Sequence, residues 1–209
     1  MTGYFVTGTD TNVGKTVLSA LLVAALDAIY WKPVQTGTIE GMDRASVRRW
    51  TEVSEDRLPP EGYRFDPPVS PHLAAREAGI EIRLGALELP AARAGRKWIV
   101  EGAGGVMVPL NESDLMRDLM LRIGFPAIVA SRTSLGTINH TLLSLAALRE
   151  ARVPICGVAL IGEENVENRR AIEHYGNVAV IGRIPILREI NRAALLDAYE
   201  RHFDRGIFA

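Results

Sequence analysis

Short, almost wholly apolar runs recur along this chain and alternate with longer stretches in which apolar residues return every three or four positions. Six such runs lie at residues 4–7, 29–32, 98–101, 127–130, 155–161 and 178–181. A run without hydrophobic–polar alternation is typical of a strand that is covered on both faces. The pattern therefore predicts six buried strands.

Helical spacing fills the segments between the runs, at 15–26, 84–94, 115–123, 138–151, 166–175 and 191–203. Strands that alternate with helices favour an α/β fold with a mostly parallel central sheet and helices on both faces. The length of 209 residues suits a single domain over residues 1–209. The proline-rich stretch 53–71 has no period, which predicts an irregular loop of the kind that often covers a site.

The composition excludes several classes of protein. Lysine and arginine number 24 against 25 acidic residues, and a net charge of −1 gives no basic field for nucleic acid or an anionic membrane. The single cysteine excludes an internal disulfide. No apolar run approaches the about 18 residues of a membrane span, and the N-terminus does not resemble a signal peptide. We therefore expect a soluble cytoplasmic protein with no nucleic-acid or membrane partner.

The strongest chemical signal lies between the first predicted strand and the first predicted helix, where a loop ends in Gly14, Lys15 and Thr16. Strand, loop and helix in this order are the context that a phosphate-binding P-loop requires. Amides at the helix start would hold phosphate, the lysine would add positive charge, and the hydroxyl would serve Mg²⁺. Thr9 replaces the first glycine of the usual motif, and Gly8 stands one place earlier. We expect a P-loop NTPase fold.

Two charged residues end predicted strands at the same sheet edge. Glu101 ends the run 98–101, and the three glycines within residues 102–105 favour a metal or nucleotide role over simple solvation. Lys32 ends the run 29–32. For Lys32, a solvated strand end and a cation that stabilises a highly charged transition state are equally compatible with the sequence.

Three further features have a simpler structural interpretation when the residues are taken alone. Asp43 precedes the helix-like run 44–51, where it would serve as the N-cap. The segment 134–140 opens a helix whose amides could hold an anion. Ordinary helix capping by Ser134 or Thr137 is the favoured interpretation of these residues. Cys156 lies in an apolar run and is expected in the core.

Several segments together resemble the dethiobiotin synthetases of biotin biosynthesis, and the match covers most of the chain. The matching segments are GTDTNVGKT at 8–16, KPVQTG at 32–37, SPH at 70–72, EGAGG at 101–105 with PL at 109–110, and LGTINH at 135–140. The displaced glycine of the phosphate loop is itself a feature of that family. The resemblance implies that ATP, CO₂ and 7,8-diaminononanoate give dethiobiotin, ADP and phosphate through a carbamate and a carbamic–phosphoric anhydride.

The same resemblance assigns roles to residues of this chain. Lys15 and Lys32 would be the catalytic cations, because carbamate and triphosphate are both anionic and repel each other. Thr16, Asp43 and Glu101 would hold Mg²⁺, a hard cation that prefers oxygen ligands. By this resemblance, the role expected for Asp43 changes from helix cap to metal ligand.

The implied contacts fall into two sets. The nucleotide and its metal would contact Asn12, Val13, Gly14, Lys15, Thr16, Val17, Asp43, Glu101, Gly102, Ala103, Gly104, Pro185, Ile186 and Leu187. The diamine would contact Thr36, Gly104, Gly105, Leu135, Gly136, Thr137 and Asn139. Because the family is homodimeric with the diamine near the interface, the start of the helix after residue 134 would hold the substrate carboxylate from the partner chain.

Three departures from the family, the third being a short segment between the first helix and Lys32, and three alternative functions stay open. The asparagine that reads adenine in the family is absent after residue 161, which leaves nucleobase selectivity open, and Asn12 replaces a common acidic residue. The alternatives are an ATPase switch controlled by a protein partner, an amidotransferase-like synthetase and a nucleotide-binding module without catalysis. The switch would hydrolyse ATP without a diamine, whereas the synthetase would require one.

Overall fold

The computed structural model of the protein describes residues 2–91 and 95–208, and in them six parallel strands form the central sheet. The sheet follows the order β2-β5-β1-β6-β7-β8, and β3 and β4 form a separate parallel pair. The strands are β1 Gly3–Gly8, β2 Ile29–Trp31, β3 Val34–Thr36, β4 Tyr63–Phe65, β5 Trp98–Gly105, β6 Ala127–Arg132, β7 Ile155–Ile161 and β8 Val180–Ile184. The predicted α/β fold with a parallel sheet is confirmed.

Helices connect the strands and cover the sheet on both faces. They are α1 Lys15–Ala25, α2 Asp43–Thr51, α3 Pro71–Glu77, α4 Met116–Ile123, α5 Thr137–Glu150, α6 Val166–Gly176 and α7 Arg192–His202. Apolar residues of α1, α2 and α7 pack in one buried cluster, and those of α3, α4, α5 and α6 pack in a second. Among the described residues, no helix is long and apolar enough to cross a membrane.

The burial of the sheet explains why its strands are apolar without alternation. Phe5 and Val6 are neighbours in β1, yet each is fully buried, because they enter the two different clusters on opposite faces. Ile128 and Val129 of β6 do the same. Because neither face of a central strand is exposed to water, its sequence does not alternate between apolar and polar residues.

Three predictions of local structure differ from what is observed. The helix predicted at 84–94 is wrong over 84–91: only a short 3₁₀ turn at Leu84–Ala86 forms, and 92–94 lie outside the described residues. Gly85 and Pro90 disfavour a continuous helix there. The last strand begins at Val180 rather than 178, because Asn177 is left-handed at the end of α6. The stretch 53–71 contains β4 rather than loop alone.

The carboxyl ends of β1, β2 and β5 meet at one edge, as the parallel topology requires. There β1 and β5 change register. Val6 pairs with Glu101 and Gly8 pairs with Gly105, so Thr7 faces three residues of β5. This bulge turns the end of β5 out of the regular ladder and towards the space above the phosphate loop.

Candidate active site

The phosphate loop connects β1 to α1, and its glycine fits a position that other residues would not tolerate. Gly14 has φ 94° and ψ 23°, and an added Cβ would lie 2.7 Å from Ile161 Cδ1. Gly14 is also the N-cap of α1, and no side chain caps the helix. The first amides of α1 are therefore free of a protein acceptor at the cap, which is the arrangement that binds phosphate.

Lys15 at the start of α1 is 7% exposed and folds back over the loop, where its Nζ donates to the Asp10 carbonyl oxygen at 2.8 Å. Burial lowers the pKa of Lys15 to about 8, and the positive charge of Lys32 adds to this shift. The carboxylates of Glu101, Asp43 and Asp10 oppose this shift without cancelling it, and an anion in the loop would add further negative charge beside the ammonium. Lys15 is thus placed to bind a phosphate group, as the P-loop pattern predicts.

Two carboxylates and one hydroxyl meet beside Lys15. Thr16 Oγ1 lies 2.9 Å from Asp43 Oδ1 and 3.0 Å from Glu101 Oε1, and it donates its single proton to one of them at a time. Glu101 is fully buried at the β5 bulge. The N-cap of α2 is Met42, so the expectation that Asp43 caps this helix is wrong. Asp43 is the first helical residue, and its carboxylate faces the phosphate loop.

Lys32, directly after β2, closes this cluster. Its Nζ donates to Glu101 Oε1 at 2.9 Å and forms an ion pair with Asp43 Oδ2. Burial alone would lower the pKa of Lys32, but the charges of Glu101 and Asp43 outweigh it and raise that pKa. Burial likewise opposes the charge of Asp43, yet the Lys32 ammonium holds the pKa of that carboxyl below its usual value. Of the two interpretations of Lys32, the solvated strand end is wrong.

Sequence reasoning missed two supporting side chains. Tyr30 Oη donates to Glu101 Oε2 at 3.0 Å, and burial together with that carboxylate raises the pKa of Tyr30 well above its usual value. Gln35 Oε1 accepts the Asp43 backbone amide at 3.2 Å and so satisfies an open amide of α2. Tyr30 stands two residues before Lys32, and alternate residues of a strand share a face, which is a signal that could have found it.

A cleft of about 850 Å³ opens above these groups. Its floor is the phosphate loop with Lys32 and Glu101, and one wall comes from the end of β3 and the loop before α2. The β5 bulge contributes Ala103 and Gly104. Gly104 has φ 67°, and an added Cβ would lie 2.6 Å from Val108 Cγ2, so the bulge requires glycine there. The volume suits a small organic substrate together with phosphate groups.

The structure brings together most, but not all, of the residues that the sequence assigned to the site. The cleft is lined by the predicted residues Asn12, Gly14, Lys15, Thr16, Val17, Lys32, Thr36, Asp43, Glu101, Ala103 and Gly104. Val13 and Gly102 are buried next to it, and Gly105 pairs with Gly8 at its rim. Pro185, Ile186 and Leu187 follow β8, and Leu135, Gly136, Thr137 and Asn139 lie at the start of α5; neither set lines the cleft.

The start of α5 is built like the start of α1. Gly136 is its N-cap with φ 94°, and no side chain caps the helix, so the favoured interpretation of Ser134 or Thr137 as a cap is wrong. The Thr137 hydroxyl instead donates to the Arg132 carbonyl oxygen and lies 2.7 Å from Ser131 Oγ. Leu135, just before it, is fully exposed. An open helix start therefore stands beside an exposed apolar side chain.

The oxygen donors fit a magnesium ion held together with phosphate. Within residues 2–91 and 95–208, no cluster of three or more histidine, cysteine or acidic side chains exists that would form an all-protein metal site. The two carboxylates of Asp43 and Glu101 and the Thr16 hydroxyl are the kind of partial set that Mg²⁺ uses when substrate oxygens complete its shell.

Comparison with known proteins identifies the family of this chain. The AAA domain family AAA_26 matches residues 2–194. The ATP-dependent dethiobiotin synthetase BioD of Rhodopseudomonas palustris (strain TIE-1) is 47% identical over 95% of this chain and 93% of its own. The enzyme of the same name from Brucella melitensis biotype 2 is 47% identical over 98% and 95%.

The architecture also has a counterpart among solved structures. A ParA family ATPase from Chlorobium tepidum TLS superposes with a TM-score of 0.55 over 95% of this chain and 90% of its own, at 15% identity. That likeness shows the P-loop NTPase fold alone, whereas the close relatives share the sequence over almost its whole length. The chain belongs to the dethiobiotin synthetase family.

Proposed function

We propose that the protein converts 7,8-diaminononanoate, CO₂ and ATP to dethiobiotin, ADP and phosphate, as an ATP-dependent cyclo-ligase of biotin biosynthesis. The observation that carries this proposal is the buried pair Lys15 and Lys32, which brings two cations beside a phosphate loop and two carboxylates in a cleft open to a small substrate. Relatives that bear the name dethiobiotin synthetase cover nearly the whole chain.

The reaction needs three bond-forming steps. One amine nitrogen of the diamine bonds to CO₂ and loses a proton, which gives a carbamate. A carbamate oxygen takes the γ-phosphoryl group of ATP, the bond to the leaving ADP oxygen breaks, and a carbamic–phosphoric anhydride forms. The second amine then attacks the carbonyl carbon, phosphate leaves, a further proton is lost, and the cyclic urea closes.

The two lysines address the main electrostatic obstacle, which is that carbamate and triphosphate repel each other. Lys15 gives up its bond to the Asp10 carbonyl and binds the phosphate chain. Lys32, fixed by Glu101 and Asp43, keeps its charge at neutral pH because its pKa is raised. A fixed cation at the point where negative charge accumulates lowers the barrier without any reorganisation.

Thr16, Asp43 and Glu101 are the residues that would hold Mg²⁺, which when bound would neutralise charge on the transferring phosphoryl group. Their oxygens already lie within about hydrogen-bond distance of Thr16 Oγ1, at 2.9 and 3.0 Å. Tyr30 and Gln35 orient this set, since one donates to the Glu101 carboxylate and the other accepts the Asp43 amide. Such supporting contacts fix ligand geometry.

For the nucleotide we propose that the amides of residues 12–17 hold the phosphates and that residues 185–187 contact the base. The connection is physical: Ile161 packs on Gly14, and the Gly162 amide donates to the Ile184 carbonyl oxygen at 2.9 Å. The segment after β8 is therefore tied to the phosphate loop through β7. Because ATP is a substrate, the proposal places the reaction in the cytoplasm.

For the diamine we propose a homodimer in which the start of α5 completes the partner's site. Thr36 and the β5 bulge line the cleft, whereas Leu135 to Asn139 lie outside the cleft of their own chain. The Thr137 amide donates to the Ser134 carbonyl oxygen at 3.2 Å, so the next amides, of Ile138 and Asn139, are the ones that suit a carboxylate. The exposed Leu135 supplies apolar surface for a contact with the second copy.

The test is to follow phosphate and dethiobiotin together. Purified protein receives MgATP and bicarbonate with and without 7,8-diaminononanoate, and dethiobiotin is quantified by mass. Diamine-dependent phosphate release with an equal yield of dethiobiotin supports the proposal. Slow hydrolysis that ignores the diamine, without dethiobiotin, contradicts it and favours an ATPase controlled by a protein partner. Replacing ATP with CTP or GTP measures the selectivity for the base.

A further inference from the structure

Arg132, the last residue of β6, reaches across to the phosphate loop although neither the fold nor the proposed chemistry requires it. Its Nη2 donates to the Thr11 carbonyl oxygen at 3.0 Å and lies 3.4 Å from Asp10 Oδ2. The other oxygen of that carboxylate, Oδ1, accepts the Thr11 amide at 2.7 Å. The guanidinium thus binds both the backbone and the side chain of one short segment of the loop.

The base of this arm is rigid. The Arg132 carbonyl oxygen accepts the buried Thr137 hydroxyl, and Ser131 Oγ lies 2.7 Å from both Thr137 Oγ1 and Thr141 Oγ1. Three buried hydroxyls therefore fix the backbone from which the arginine extends. A planar guanidinium on a fixed backbone loses little freedom when it binds two acceptors at once.

The segment Asp10–Thr11 has a second anchor, which comes from inside the loop. Lys15 Nζ donates to the Asp10 carbonyl oxygen at 2.8 Å. If Lys15 turns to the phosphates when ATP binds, as the proposed function requires, the Asp10 carbonyl loses this partner. The Arg132 contacts then remain. Among the described residues, they are the side-chain contacts that hold this segment from outside the loop.

We propose that Arg132 is a positioning residue that holds the Asp10–Thr11 segment of the phosphate loop while Lys15 transfers to the nucleotide. This inference rests on the proposed function, because it assumes that ATP occupies the loop. Since Arg132 is one of two anchors before binding and the remaining one afterwards, its loss costs more in the bound state. The consequence is weaker nucleotide binding rather than slower chemistry.

The experiment compares the wild type with Arg132→Ala, Arg132→Lys and Arg122→Ala. Arg122 is a matched control, because its Nη2 also lies 3.4 Å from a carboxylate, that of Glu88, at an exposed site remote from the loop. Dissociation constants for a non-hydrolysable MgATP analogue are measured by calorimetry. Dethiobiotin formation at saturating ATP gives kcat, and the thermal midpoint confirms folding.

We expect Arg132→Ala to raise the dissociation constant about fivefold to tenfold, the scale of a half-exposed charged hydrogen bond, with kcat within about twofold of the wild type. Arg132→Lys restores part of the affinity, since a lysine binds one acceptor at this reach, and Arg122→Ala binds as the wild type does. Asp10→Asn adds little to Arg132→Ala, because both remove the same contact.

Two results would overturn the inference. Unchanged affinity in Arg132→Ala, with normal affinity in the wild type, shows that the loop needs no such anchor. Unchanged affinity together with a large loss of kcat shows that Arg132 acts in the chemical step instead. A wild type that binds no nucleotide at all is a different outcome, because it removes the proposed function on which the inference rests.

Discussion

Replacing Lys32 with methionine separates what this residue does for stability from what it does for catalysis. Methionine has a similar length and fills the space, but it removes the charge that faces Glu101 and Asp43. Glu101 is fully buried and Lys32 is 5% exposed, so water cannot replace the lost partner. We expect Lys32→Met to be less stable and also far less active than the wild type.

The size of the stability loss follows from the geometry. At 2.9 Å, two unit charges attract by about 6 kcal/mol at an effective dielectric constant of about 20. Tyr30 still donates to Glu101 in the variant, and Thr16 donates to Glu101 or to Asp43, which leaves a net loss of about 3 kcal/mol in the free energy of unfolding. For a chain of this length such a loss lowers the thermal midpoint by about 6–12 °C. The catalytic loss is larger, about 100-fold to 1,000-fold in kcat.

The assay combines thermal unfolding with dethiobiotin formation. In the double variant Lys32→Met/Glu101→Gln the buried charge is gone, so we expect about half of the lost stability to return while activity stays low. Lys97→Met is the control, because Lys97 is a half-buried lysine whose Nζ binds the Phe208 carbonyl oxygen away from the cleft. A single variant that unfolds at the wild-type midpoint, or a double variant no more stable than the single one, refutes the reasoning.

Three further predictions address the phosphate loop and the metal. The pKa of Lys15 is about 8 in the free protein, and bound phosphate favours its ammonium form. Affinity for the ATP analogue should therefore fall about tenfold between pH 7 and pH 9. An affinity that does not change over this pH range contradicts the prediction. Glu101→Gln raises the Mg²⁺ concentration for half-maximal activity about tenfold, and an unchanged requirement would make Glu101 structural. In Gly14→Ala the new Cβ would be strained by φ 94° and would also clash with Ile161, whereas in Gly79→Ala it would be strained only by φ 66° and would lie in open space. Chemical denaturation should therefore show a larger loss in the free energy of unfolding for Gly14→Ala than for Gly79→Ala. Equal losses argue against a close contact at Gly14.

The fold was largely predictable because both faces of the sheet are buried. Strands such as β7, Ile155–Ile161, and helices such as α1 have an apolar pattern that the packing maintains. The pair β3 and β4 was missed because each strand has only three residues and includes at least one polar one, VQT and YRF, whereas the equally short β2 is wholly apolar. Over residues 84–91 the predicted helix is wrong because the apolar spacing there serves burial of Leu87 in the core, without helical backbone.

The candidate site was predictable only in part, for a related reason. Lys15 and Thr16 belong to a motif of consecutive residues, so the sequence alone shows which residues surround them. Lys32 and Glu101 lie 69 positions apart, and their 2.9 Å contact depends on β2 and β5 being adjacent in the sheet. Tyr30 belongs to no motif; its spacing from Lys32 indicates a shared face of β2, but its contact with Glu101 is established by the structure.

The two glycine-started helices have a consequence for how long the protein survives in the cell. Both α1 and α5 begin after a glycine with φ 94° and lack a capping side chain. Apart from the Thr137 amide, which donates to the Ser134 carbonyl oxygen, the first amides of both helices are open to a bound anion. A ligand that binds only the folded chain adds about 2.7 kcal/mol to stability at 100 times its dissociation constant. Hydrogen exchange at these helix starts should slow when their ligands bind. Resistance to proteolysis then becomes coupled to metabolite supply, and a starved cell would hold a shorter-lived pool of this protein.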